Sequence, residues 1–141
     1  MKLYLALLGC LALAACGQPV RREKLEAGYV LTAMDRPEDL SICREIGHST
    51  CAGGIGPTIA AVGWDGRYIV AAQHPDNNKA LTQYYFIDLT VPNSEMEGVT
   101  GPLTRAQFDV KSQELALPRL TWTVDETYSL RRPFKLSNYW P

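Results

Sequence analysis

The stretch from Thr58 to His74, TIAAVGWDGRYIVAAQH, decides how the chain folds. Two β-prone runs, Thr58 to Trp64 and Arg67 to His74, are separated only by Asp65-Gly66. An Asp-Gly pair accepts the positive φ angles of a type I′ turn, whose twist matches that of paired antiparallel strands. The reading is a two-residue hairpin. After a polar loop, Pro75 to Lys79, the run Leu81 to Leu89 with Tyr84-Tyr85-Phe86-Ile87 reads as a third strand. Three antiparallel strands in succession form a meander.

Downstream, Thr104 and Gln107 stand at the spacing of a capping box, in which each side chain satisfies a backbone N–H of the other residue. A helix is therefore expected over Arg105 to Leu115, with Phe108, Ser112 and Leu115 close to one face and Pro118 ending it. Leu120 to Val124 reads as a last strand. Upstream, Gly28 to Ala33 is an expected first strand, and Asp35 to Asp39 a polar turn. Leu40 to Arg44 alternates, with Leu40, Ile42 and Arg44 on one face. Gly47 to Pro57, with its glycines and a proline, reads as a loop. Gly17 to Lys24 lacks apolar periodicity and reads as a linker. The fold class expected is α+β: one antiparallel sheet of about four to six strands carrying one helix.

Tyr84 and Phe86 lie on one face of their strand and Tyr85 and Ile87 on the other. Bulky residues on both faces call for two covers. The helix supplies one. The other is either the aromatic tail, with Phe134, Tyr139 and Trp140, or a partner. Trp64 and Tyr68 flank the hairpin turn, as core residues or as an aromatic contact site.

The N-terminal end carries an address. Lys2 precedes an apolar run from Leu3 to Ala14, and Leu13-Ala14-Ala15-Cys16 closes it. A cation, an apolar segment and small residues make a secretory signal. The run is shorter than the about 20 apolar residues that a membrane-spanning helix needs. Its ending resembles the lipobox of bacterial lipoproteins: Leu, two small residues, then Cys. The resemblance implies cleavage before Cys16 and a lipid on its sulfur. It divides the chain into a signal, 1–15, a lipidated tether, 16–27, and one domain, 28–141. The mature chain would keep 126 of the 141 residues, enough to bury about two-thirds of its unfolded surface. Gly17 is not the Asp associated with inner-membrane retention in such lipoproteins. The resemblance thus implies the outer membrane, facing the periplasm.

Lys2 leaves with the signal, so 13 Lys and Arg face 15 Asp and Glu. That balance argues against a nucleic-acid partner, which favours a clearly basic face. Of the four cysteines, Cys10 leaves with the signal and Cys16 would carry lipid. Cys43 and Cys51 remain as a pair, expected to form a disulfide in an oxidising compartment.

Cys43, His48, Cys51 and His74 also supply the thiolate and imidazole ligand types that zinc takes. Their spacing matches no common zinc signature, and an oxidised pair would remove the thiolates. Cys51 with His48 could make a thiol nucleophile, but only as a free thiolate. Gly53-Gly54-Ile55-Gly56-Pro57 lacks the Lys-Ser/Thr of a phosphate loop. The expectation is a protein with no cofactor, no metal and no catalytic set.

The body, from the hairpin through the Tyr-Tyr-Phe-Ile strand to Gly-Pro-Leu-Thr and the Phe108 helix, resembles a family of small bacterial lipoproteins of unknown function over Gly28 to Pro118. The resemblance implies no activity. The function expected is a membrane-anchored envelope module that binds another envelope protein without catalysis, through His48 to Pro57 or the tail. The alternatives are a zinc- or thiol-dependent envelope enzyme using Cys43, His48, Cys51 and His74, and a structural lipoprotein that binds cell wall.

Overall fold

A computed structural model describes residues 19–47, 50–92, 98–124 and 130–131. The hairpin and meander are present. β5 (Ile59–Trp64) pairs antiparallel with β6 (Tyr68–Gln73), and β6 with β7 (Gln83–Asp88). β8 (Val99–Leu103) extends the sheet beyond β7. β9 (Trp122–Val124) pairs with β5 on the other side, and β10 (Leu130–Arg131) with β9.

The hairpin turn differs from the type I′ expectation. Asp65 and Tyr68 are its closing residues, with Asp65 N–H donating to Tyr68 O at 3.0 Å. Gly66-Arg67 is therefore the two-residue connection. No residue in 65–67 takes a positive φ. Asp65 shapes the turn through its side chain, whose Oδ1 accepts from the N–H groups of Arg67 at 2.8 Å and Tyr68 at 2.7 Å. An Asx side chain here does the work that was assigned to left-handed backbone.

The strands divide between two sheets, where a single sheet was expected. The second sheet has the order β10-β9-β5-β6-β7-β8. The first is β1 (Arg21–Lys24), β2 (Tyr29–Ala33), β3 (Ser41–Glu45) and β4 (Cys51–Ile55), in that order. Two of these strands correct the sequence reading. Arg21 to Lys24, read as linker, pairs residue for residue with Ala33 to Val30. Cys51 to Ile55, read as loop, pairs with β3 through a register shift. Gly54 makes that shift possible. Its φ is +104°, and a Cβ there would stand 1.9 Å from the Ile42 carbonyl oxygen.

The two sheets pack face to face. Leu31, Leu40, Ile42 and Ile55 from the first meet Ile59, Val62, Ile69 and Ile87 from the second in one buried cluster. The first sheet is thus the second cover that Tyr85 and Ile87 required. A register shift between Ile59 and Ala61 brings both Ile59 and Val62 to this interface while Ala61 turns to the opposite face. Gln73 is buried at its edge. Its Nε2 donates to Gly56 O at 2.9 Å and Pro57 O at 3.0 Å, and Tyr85 Oη donates to its Oε1 at 3.1 Å. Burial raises the pKa of the Tyr85 hydroxyl above its ordinary value, which keeps it a donor.

The far face of the second sheet carries α1 (Arg105–Leu115). Its capping box is complete: Gln107 N–H donates to Thr104 Oγ1 at 3.3 Å, and Thr104 N–H to Gln107 Oε1 at 2.8 Å. Phe108 is the helix residue that is buried, stacked on Tyr84 with ring centroids 5.1 Å apart. Leu115, expected on the packed face, is exposed. Ala116 takes a left-handed conformation (φ 52°) and turns the chain, so that Leu117 and then Leu120 reach the sheet instead. The α+β class holds, as three layers: sheet, sheet and helix.

Candidate functional site

The outer face of the first sheet holds the candidate site. β2 is buried along its whole length, on both faces. Leu31 and Ala33 face the second sheet. Val30 and Thr32 therefore point outward, yet each is under a tenth exposed. Arg22 on β1 forms an ion pair with Glu45 on β3. Those strands flank β2, so the pair bridges the strand between them.

Beside that strap lies a cleft of about 330 Å³. Val30, Thr32, Ser41 and Cys43 line it from β2 and β3, and Cys51 from β4. Pro19, Met34 and Asp39 add to its lining at the end where the chain enters the sheet. Thr32 Oγ1 donates to Arg21 O at 3.0 Å, tying β2 to β1. At the β2–β3 turn, Arg36 makes a two-pronged contact with Asp39, at 2.8 and 2.9 Å. That partner raises the Arg36 pKa further above its ordinary value.

Cys43 and Cys51 are joined by a disulfide within this cleft, with Cα atoms 5.5 Å apart. A bridge closing so short a loop contributes about 2.5 kcal/mol by chain entropy. It also removes both thiolates, the form in which cysteine attacks a substrate or binds a metal.

The other expected site residues do not gather here. His74 follows β6 in the second sheet. Its Nδ1 lies 3.1 Å from Leu81 O and 3.5 Å from Thr82 Oγ1. Among the described residues, no group of three or more His, Cys, Asp and Glu stands in metal-binding proximity. Trp64 is half-buried against the cluster between the sheets. Tyr68 is 3% exposed on the opposite face, edge-on to Phe86 at 6.1 Å, with the Arg67 guanidinium 5.0 Å from its ring centre. The hairpin thus sends these two aromatics to separate cores, and Tyr68 is too buried to form the contact site considered for it. Cys16, His48, Phe134, Tyr139 and Trp140 lie outside the described residues.

Sequence reasoning missed Val30, Thr32, Ser41 and Arg22. A strand buried on both faces reads as a run of apolar and small residues and carries no sign of which face bears a cleft. The run Arg21-Arg22-Glu23-Lys24 has no alternation; its one signal was a density of charge, which an edge strand tolerates as well as a linker does.

No curated protein and no solved structure matches this chain. The chain belongs to the family described as a protein of unknown function (DUF3997), which matches residues 26–122, from just before β2 to the start of β9.

Proposed function

We propose that the protein is a lipid-anchored module of the bacterial cell envelope, facing the periplasm from the outer membrane, that binds another envelope protein without catalysis. The membrane contact would be made by lipid on Cys16. The observation that carries the non-catalytic part is the place of the disulfide. The two sulfurs on which thiol or zinc chemistry would depend are bonded to each other in the cleft. What the cleft offers a ligand is a mixed surface: the exposed Cys51 end of the disulfide, the Ser41 hydroxyl, and charges held in pairs at its rim, over a floor of Val30 and Thr32. Recognition surfaces commonly combine apolar contact with a few fixed polar groups in this way.

A photo-crosslinking amino acid in place of Ser41 tests this reading in intact envelopes. A discrete protein adduct is expected there and not from the same group in place of Val110, an exposed helix position. No adduct at position 41, from protein shown to be in the envelope fraction, would contradict partner binding at the cleft.

A further inference from the structure

We infer that the end of the first sheet bearing Pro19, Val20 and Met34 rests against the bilayer, so that the domain is seated on the membrane in one orientation. This rests on the proposed lipid at Cys16. With Gly17 to Lys24 as a linker, the free chain from Cys16 to Gly28 would span about 40 Å when extended. Because Arg21 already pairs with Ala33 in the sheet, only five residue steps separate the lipidated residue from the domain, about 18 Å at most. Pro19, which lines the cleft, is closer still: three steps, about 11 Å. A domain held that near a bilayer must present one particular end to it.

That end is suited to the contact. Val20 and Met34 directly adjoin the terminal Arg21–Ala33 pair, and they are 53% and 46% exposed. Among the described residues, the other exposed large apolar side chains lie elsewhere: Ile46 beyond the opposite end of β3, Leu81 before β7, and Val110 and Leu115 on the helix. An apolar pair at the tethered end gains by leaving water for the headgroup–acyl boundary. The neighbouring charges specify which lipid. Arg21 is paired with Glu23, Arg22 with Glu45, and Arg36 with Glu38 and Asp39, and Asp35 adds a further negative charge at the turn. Such an end has no net attraction for anionic headgroups. The lipid surface it fits is zwitterionic.

The full chain, extracted from membranes with its lipid, would be placed on phosphatidylethanolamine–phosphatidylcholine vesicles. An environment-sensitive fluorescent amino acid would stand in place of Val20, of Met34 or, for comparison, of Val110. Brominated acyl chains should quench positions 20 and 34 several-fold more than position 110. A chain that floats with the vesicles but shows equal quenching at all three positions overturns the seating and leaves the anchor intact. A chain that does not float with the vesicles overturns the anchor, and the seating with it.

Discussion

Gly63→Ala is expected to destabilise the domain by about 3 kcal/mol or more, while Gly66→Ala, three residues away, is close to neutral. Gly63 lies within β5 on the helix side of the second sheet, where residues 119–120 cross it. A Cβ at Gly63 would stand 1.9 Å from the Arg119 carbonyl oxygen and 2.8 Å from its carbon. Both obstacles are backbone, so no rotamer change relieves them. The crossing segment would have to lift, and the packing of Leu117 and Leu120 would loosen with it. Overpacking of this kind costs about 1–3 kcal/mol where a side chain can yield, and more where backbone must move. At Gly66 a Cβ meets nothing within 4 Å, and the backbone is not left-handed. The entropy that Gly loses on folding even favours Ala slightly there. Urea denaturation of the two variants checks the pair. A costly Gly66→Ala would restore the type I′ turn, and a harmless Gly63→Ala would contradict the crossing of the post-helix segment.

The second large effect concerns Cys16. Cys16→Ala should reduce incorporation of labelled palmitate to background, and Cys10→Ala should leave it unchanged. Both cysteines lie at the N-terminal end, but only Cys16 follows Leu13-Ala14-Ala15. Acylation needs the sulfur as nucleophile, which Ala lacks. The comparison separates a specific lipid site from acylation of any cysteine near a membrane. Several acyl chains on one residue hold a protein firmly, whereas a single chain binds only marginally. Loss of the modification is therefore expected to be all-or-none for anchoring. Label that persists in Cys16→Ala, or that never enters the unaltered chain, contradicts the lipoprotein reading.

The parts of the fold legible in the sequence are those set by neighbours in the chain. The β5–β6 hairpin follows from two β-prone runs and a short turn, and the α1 boundaries from the Thr104–Gln107 box. The turn type was not legible, because Asp65 and Gly66 each support a turn by a different means. What remained hidden depends on partners distant in sequence. β1 has charges on both faces and becomes a strand by pairing with β2; nothing in its own periodicity asks for it. β4 carries glycines that read as a loop, yet Gly54 is what lets it approach Ile42. The bulky Tyr85 and Ile87 signalled a missing cover without naming it, because the first sheet had been read as part of the same layer as the second. For the candidate site, the cysteine pair was legible from its count and expected compartment. The cleft around it was not, since it arises where β1, β2 and β3 lie side by side.

One proposal joins the two cysteine sites: lipid on Cys16 tethers the domain that the Cys43–Cys51 bridge staples. Intact mass of the membrane-extracted protein, alkylated with and without prior reduction, tests it most directly. The expected result is a chain beginning at Cys16 with added lipid mass, taking up two alkyl groups only after reduction. A chain without lipid mass, or two alkyl groups taken up without reductant, would contradict it, and the second result would put thiol or metal chemistry at Cys43 and Cys51 first.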